Sequence, residues 1–79
     1  MKLTYDSRYN VAYLKFHDKT DNVETVQVSA DINVDIDSDG RVYGIELLNA
    51  NDQLLLEDGG KLVIVNEAGG KRKEVTLER

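Results

Sequence analysis

The sequence predicts a β-rich α+β fold: an antiparallel meander of about five strands, one short helix and a C-terminal β-hairpin. Three observations carry this. Apolar residues recur with period two through most of the chain, the pattern of half-buried strands. Asp39-Gly40 and Gly69-Gly70 each sit between alternating runs, where hairpin loops belong. Residues 49–58 break the alternation with Leu54-Leu55-Leu56 behind Asn51 and Asp52, either of which suits a helix N-cap.

The elements follow in order. Lys2 to Tyr5 reads as a short strand, and Asp6 to Asn10 as a polar connection in which Asp6 caps the turn through the local backbone. Val11 to Phe16 is a strand with Ala12, Leu14 and Phe16 on one face. Residues 17–22 form a loop. Val23 to Val28 is a third strand, with Val26 and Val28 inward. Ile32, Val34 and Ile36 alternate with Asp31, Asn33, Asp35 and Asp37, then Val42 to Leu48 returns. With Asp39 and Gly40 as a two-residue type I′ loop, Ile36 faces Tyr43, Val34 faces Ile45 and Ile32 faces Leu47, all on one face. Asp35 then faces Gly44 and Asn33 faces Glu46. Gly44 leaves room there for a ring or a backbone, or marks a bulge. After one or two helical turns ended by Gly59-Gly60, Lys61 to Val65 and Arg72 to Leu77 flank Gly69-Gly70. That loop would pair Ile64 with Val75 and Leu62 with Leu77.

Composition bounds the function. The chain has 79 residues, 10 basic and 15 acidic, for a net charge of −5. A chain this short forms one domain and buries roughly 60% of its unfolded surface. With no Cys and one His, thiol chemistry, Cys-ligated metals and multi-His metal sites are excluded. The acidic balance speaks against nucleic acid, which demands clustered Lys and Arg. Lys71-Arg72-Lys73 is the single basic run, and it balances Glu67 and Glu74. No apolar run approaches the ~20 residues of a membrane span, and the opening Met1 to Tyr5 is not a signal peptide. The expectation is a cytoplasmic chain without cofactor or membrane contact.

Leu3-Thr4-Tyr5-Asp6, then Asn10-Val11-Ala12-Tyr13-Leu14, then Asp35-x-Asp37-x-x-Gly40-x-Val42-x-Gly44-Ile45-Glu46-Leu47-Leu48 resembles the small bacterial family known as domain of unknown function 2283. The resemblance covers about residues 1–50. It is silent on residues 51–79, and the short helix and final hairpin there are read as an extension within one domain of residues 1–79. It implies no activity, cofactor or catalytic residue. What it implies is an interaction role of the antitoxin-like or phage-encoded-inhibitor kind.

Three sets of residues are candidates for function. Asp31, Asn33, Asp35 and Asp37 project together, with Glu46 across from Asn33, as a docking face for a basic protein partner. The plainer reading is a solvated strand face that discourages edge-to-edge aggregation. Asp35-x-Asp37-x-Asp39-Gly40 with Glu46 six residues further on also fits the calcium-loop pattern. Period-two flanks exclude its helices, and Glu46 opposite Asn33 lies on the order of 13 Å from Asp37 along the strands. A weak divalent-metal site at Asp35, Asp37 and Asp39 alone is the alternative. Tyr5, Tyr9, Tyr13 and Tyr43 are the residues of a small-molecule groove, or a core margin. His17 beside Asp18 is an exposed loop residue, and Ser7, Ser29 and Ser38 have no base at hand, so an enzyme is not expected. One sheet with one apolar face needs a second layer, from the Leu54–Leu56 segment, the C-terminal hairpin or another copy. A homodimer is the expectation, and the leading function is a non-enzymatic protein-interaction module.

Overall fold

The computed structural model describes residues 1–18 and 22–78; part of the expected 17–22 loop lies outside them. Strands β1 (Lys2–Asp6), β2 (Val11–Lys15), β3 (Val23–Ser29), β4 (Ile32–Asp37) and β5 (Val42–Leu48) are followed by helix α1 (Ala50–Leu55) and strands β6 (Lys61–Asn66) and β7 (Lys71–Thr76). All pairings are antiparallel. The five-stranded sheet and the separate C-terminal hairpin both form. The order in the sheet is β1-β2-β5-β4-β3. Neighbours in sequence are therefore neighbours in space within β1–β2 and within β3–β4–β5, but the step from β2 to β3 skips two positions. The four strands β2 to β5 make a Greek key rather than a consecutive meander. The physical reason is the apolar face. Setting β5 against β2 places Leu14 opposite Ile45 and Ala12 opposite Leu47. An apolar row then runs across the sheet, Leu3–Leu14–Ile45–Val34–Val26. A second row joins Tyr5, Ala12, Leu47 and Ile32.

The β4–β5 register holds as expected from Ile32–Leu47 through Asp35–Gly44. Beyond that it differs. Ile36 pairs with Val42, not Tyr43. Asp37 N donates to Arg41 O at 2.8 Å and Gly40 N to Asp37 O at 3.0 Å. Of the two central loop residues only Gly40 has positive φ (83°), whereas a type I′ turn requires both. The loop is three residues long, with Gly40 left-handed, and a bulge at Val42–Tyr43 absorbs the offset. The Asp37 side chain selects this loop, since it accepts from the Asp39 and Arg41 amides at 2.9 and 3.0 Å.

The C-terminal hairpin also forms two residues out of the expected register. Leu62 pairs with Val75 and Ile64 with Lys73. Here the loop is Glu67 to Gly70. Gly70 alone takes positive φ (69°), its N–H donates to Asn66 O at 2.8 Å, and Gly69 N–H reaches the Asn66 side chain. A two-residue shift preserves parity, so Leu62, Ile64, Val75 and Leu77 remain on one face. The β1–β2 loop is built the same way. Asp6 accepts from Arg8 N at 2.9 Å and Asn10 closes the loop at φ 59°.

The helix starts at Ala50, and neither Asn51 nor Asp52 is the N-cap. Asn49 holds that position in a left-handed conformation without a capping side chain. Asn10 supplies the cap from the β1–β2 loop. Its carbonyl accepts from Ala50 N at 3.1 Å and its Oδ1 from Asn51 N at 2.6 Å. Tyr5 Oη donates to Asn51 Oδ1, and Asn10 Nδ2 to Asn49 Oδ1. This latch fixes α1 at the end of β5, next to β1 and β2.

Little is buried. Among the described residues the buried apolar side chains are Ala12 and Ala50, and no large side chain is fully covered. Val28, expected inward, is 62% exposed, because the β3–β4 register shifts between Gln27 and Ser29. No helix among the described residues is long and apolar enough to cross a membrane.

Candidate interaction surfaces

The polar face of the sheet carries the acids singled out in the sequence, and it treats them differently. The register aligns Lys15, Gly44, Asp35 and Thr25 in one row and Thr4, Tyr13, Glu46, Asn33 and Gln27 in the next. Gly44 is the gap in the first row. The Tyr13 ring lies across it, and a Cβ there would stand 2.5 Å from Cε1 and Cζ of that ring. The ring thereby brings its hydroxyl to Asp35, donating to Oδ2 at 2.6 Å. Thr25 Oγ1 donates to Asp35 Oδ1, also at 2.6 Å. Both oxygens of Asp35 are engaged within the sheet. Partial burial pushes the Tyr13 phenol well above its ordinary value of 10, and its bond to the Asp35 carboxylate adds to the shift.

Asn33 and Glu46 meet as the register predicted, with Asn33 Nδ2 donating to Glu46 Oε1 at 2.9 Å. Asp37 is used by its own loop. Asp31 lies outside the strands, in the β3–β4 turn. Its carbonyl accepts from Leu48 N and from Gln53 Nε2, and its carboxylate has no described partner. Asp39 is exposed at the loop tip. The expected row of five thus resolves into Asp31, whose carboxylate has no described partner, Asn33 and Glu46 bonded to each other through one Glu46 oxygen, and Asp35 and Asp37 committed to the fold. Asp35, Asp37 and Asp39 do not converge. Among the described residues no group of three or more His, Cys, Asp or Glu side chains is placed to hold a metal.

The tyrosines disperse as well. Tyr5 and Tyr13 spend their hydroxyls on Asn51 and Asp35, while Tyr9 is 76% exposed with the Arg8 guanidinium 5.5 Å from its ring centre. Arg8 pairs with Asp6 at 3.0 Å, and that bond holds the Asp6 carboxyl below the usual carboxylate range. Arg72 and Lys61 pair with Glu74, so the basic run is partly balanced as expected, although Glu67 takes no described part.

Two surfaces remain available. The first is the free edge of β3. All seven of its residues are exposed, and it lacks the Lys and Pro that usually guard an edge. The second is the apolar face, where Phe16 (36%) and Val26 (40%) are exposed. At the β1 corner, Leu3 lines a cleft with Leu54, Leu62 and Leu77. Sequence reasoning found the apolar alternation but not its exposure, because the pattern identifies which face is apolar and not what covers it. The Tyr13–Asp35–Thr25 set was legible only in part, through Asp35 opposite Gly44.

No curated protein and no solved structure matched the chain. A family model described as "Protein of unknown function (DUF2283)" matches residues 2–51, which span the whole five-stranded sheet and end at Asn51, the residue that Tyr5 and Asn10 hold. The chain belongs to that family.

Proposed function

We infer that this protein is a non-enzymatic interaction module that binds a basic protein at the β3 edge and its acidic border, as an antitoxin-like or inhibitory partner would. One observation carries the reading: β3 offers seven exposed residues of free strand edge beside Asp31 in the β3–β4 turn, whose carboxylate has no described partner, with Glu46 two strands further in on the same polar face. Strand edges recruit partners by adding a strand, with main-chain hydrogen bonds giving affinity and flanking charge giving selectivity. Residues 1–60, the sheet and the helix segment together, hold 5 basic and 12 acidic side chains, a net −7. Such a field attracts a cationic partner and repels nucleic acid.

Capture on the immobilised full chain, from a lysate of its own host, tests this. A basic protein retained at about 50 mM salt should elute by about 500 mM, where screening shortens to a few ångströms. Its retention should fall severalfold on the double variant Asp31→Asn, Glu46→Gln. Capture insensitive to both salt and variant, or no captured protein, contradicts the reading.

A further inference from the structure

We propose that the C-terminal hairpin is an exchange arm: β6–β7 of one copy lies over the apolar sheet face of a second copy, and the second returns the contact. The two surfaces are each incomplete. On the sheet, the row Leu14–Ile45–Val34–Val26 opens toward β3, from half-buried Leu14, Ile45 and Val34 to exposed Val26 (40%). On the arm, Leu62 (40% exposed), Ile64 (54%) and Val75 (41%) share one face, exposed beyond the cleft that Leu62 lines at its root. A lone two-stranded hairpin is marginal in water, so this arm needs a surface.

The arm cannot reach its own open face without breaking its root. It leaves at the β1 corner, where Leu62 and Leu77 line a cleft with Leu3 and Leu54. The uncovered part of the sheet lies at β3, four strand spacings or about 19 Å away. Folding back would turn the chain at Gly59-Gly60, and that turn is packed. Gly60 is buried, with Leu55 and Leu77 against the space its side chain would fill. Gly59 N donates to Leu55 O at 3.2 Å and Leu77 N to Gly60 O at 2.8 Å. These contacts hold the arm at its root, and among the described residues neither β6 nor β7 packs extensively on a strand of the sheet.

Charge fits the same pairing. Residues 61–79 hold 5 basic and 3 acidic side chains, a net +2, against the −7 of residues 1–60. The match is local too. Lys73 lies opposite Ile64 and Lys71 opposite Asn66, so both lysines share the arm's apolar face near its tip. Glu24 lies opposite Ile36, on the apolar face of the sheet at its β3 margin. An arm laid across the partner's face from the β5 side brings its lysine tip to that glutamate.

The area is sufficient. A compact monomer of 8.9 kDa exposes about 4,800 Å², whereas this chain exposes 6030 Å². The excess, about 1,200 Å² per copy, exceeds the ~800 Å² per partner of an ordinary stable interface. Because the same two surfaces meet twice about a two-fold axis, the assembly closes at two copies.

The chain has no Cys, so single thiols report contact cleanly. Chains carrying Ile64→Cys are mixed with chains carrying Val26→Cys and treated with a short bis-maleimide. A covalent heterodimer is expected, and little product is expected when Gln27→Cys, on the opposite face of β3, replaces Val26→Cys. The chain bearing both Ile64→Cys and Val26→Cys should link between copies. Linkage only within one chain, or equal yields from residues 26 and 27, overturns the proposal. Charge exchange is the second arm of the test. Glu24→Lys should weaken the dimer about tenfold, since each contact occurs twice, and adding Lys73→Glu should restore it. A double variant weaker than the single one also overturns it. Neither readout involves a foreign protein, so failure here and failure of the capture experiment are separable.

Discussion

Gly44 shows how one small residue organises a face. Without a Cβ, it lets the Tyr13 ring cross the sheet and deliver its hydroxyl to Asp35, which Thr25 holds from the other side. Two donors on one half-buried carboxylate turn an acid that looked available into part of the scaffold. Tyr13→Phe should cost about 1–2 kcal/mol, since a hydrogen bond to a charged acceptor is lost while Thr25 keeps one oxygen satisfied. The pH dependence follows from the raised phenol. In the unfolded chain Tyr13 ionises near 10, and in the folded chain it stays protonated beyond that. The stabilisation is complete below pH 10 and declines above it, as the unfolded state sheds a proton that the native state retains. Urea midpoints should therefore fall more steeply above pH 10 in the wild type than in Tyr13→Phe. An ultraviolet titration should show a late phenolate step that the variant lacks.

Turns and caps decide the elements, and the β1–β2 loop does two tasks. Asn10 closes the hairpin in a left-handed conformation and caps α1 across the chain. Asn10→Gly keeps the backbone geometry and loses the cap, for about 1 kcal/mol. Asn10→Ala loses the cap and adds left-handed strain, so it should cost about 1 kcal/mol more. Thermal melts of the two variants, ranked in that order, check this; equal melts would contradict the double role. The strands were legible because alternation and turn residues agree over 31–48 and 61–77. The loop lengths were not. Asp-Gly and Gly-Gly signal a two-residue turn, but Asp37 and Asn66 lie just before them and capture loop amides, which lengthens each loop. The helix cap was also out of reach, because the side-chain oxygen that accepts from Asn51 N lies 41 residues away in sequence. Of the candidate acids, pairing parity correctly set Asn33 against Glu46, but it could not show that Asp35 and Asp37 serve the fold.

The whole molecule is defined by what it leaves uncovered. Its radius of gyration is 14.1 Å, where a compact chain of this length would have about 11.6 Å. The difference comes from a one-layer sheet and a hairpin that projects from its corner. Residues 1–60, net −7, and the arm, net +2, sit on one chain. Reciprocal exchange between two copies supplies the missing layer and pairs the charges, and it leaves the β3 edge backbone free for a different protein. Sedimentation equilibrium of the full chain, from micromolar to millimolar concentration, tests this most directly. The account predicts a mass of twice 8.9 kDa at the upper end, with dissociation on dilution and a melting temperature that rises with concentration. A mass of 8.9 kDa throughout, with a melting temperature independent of concentration, would contradict it.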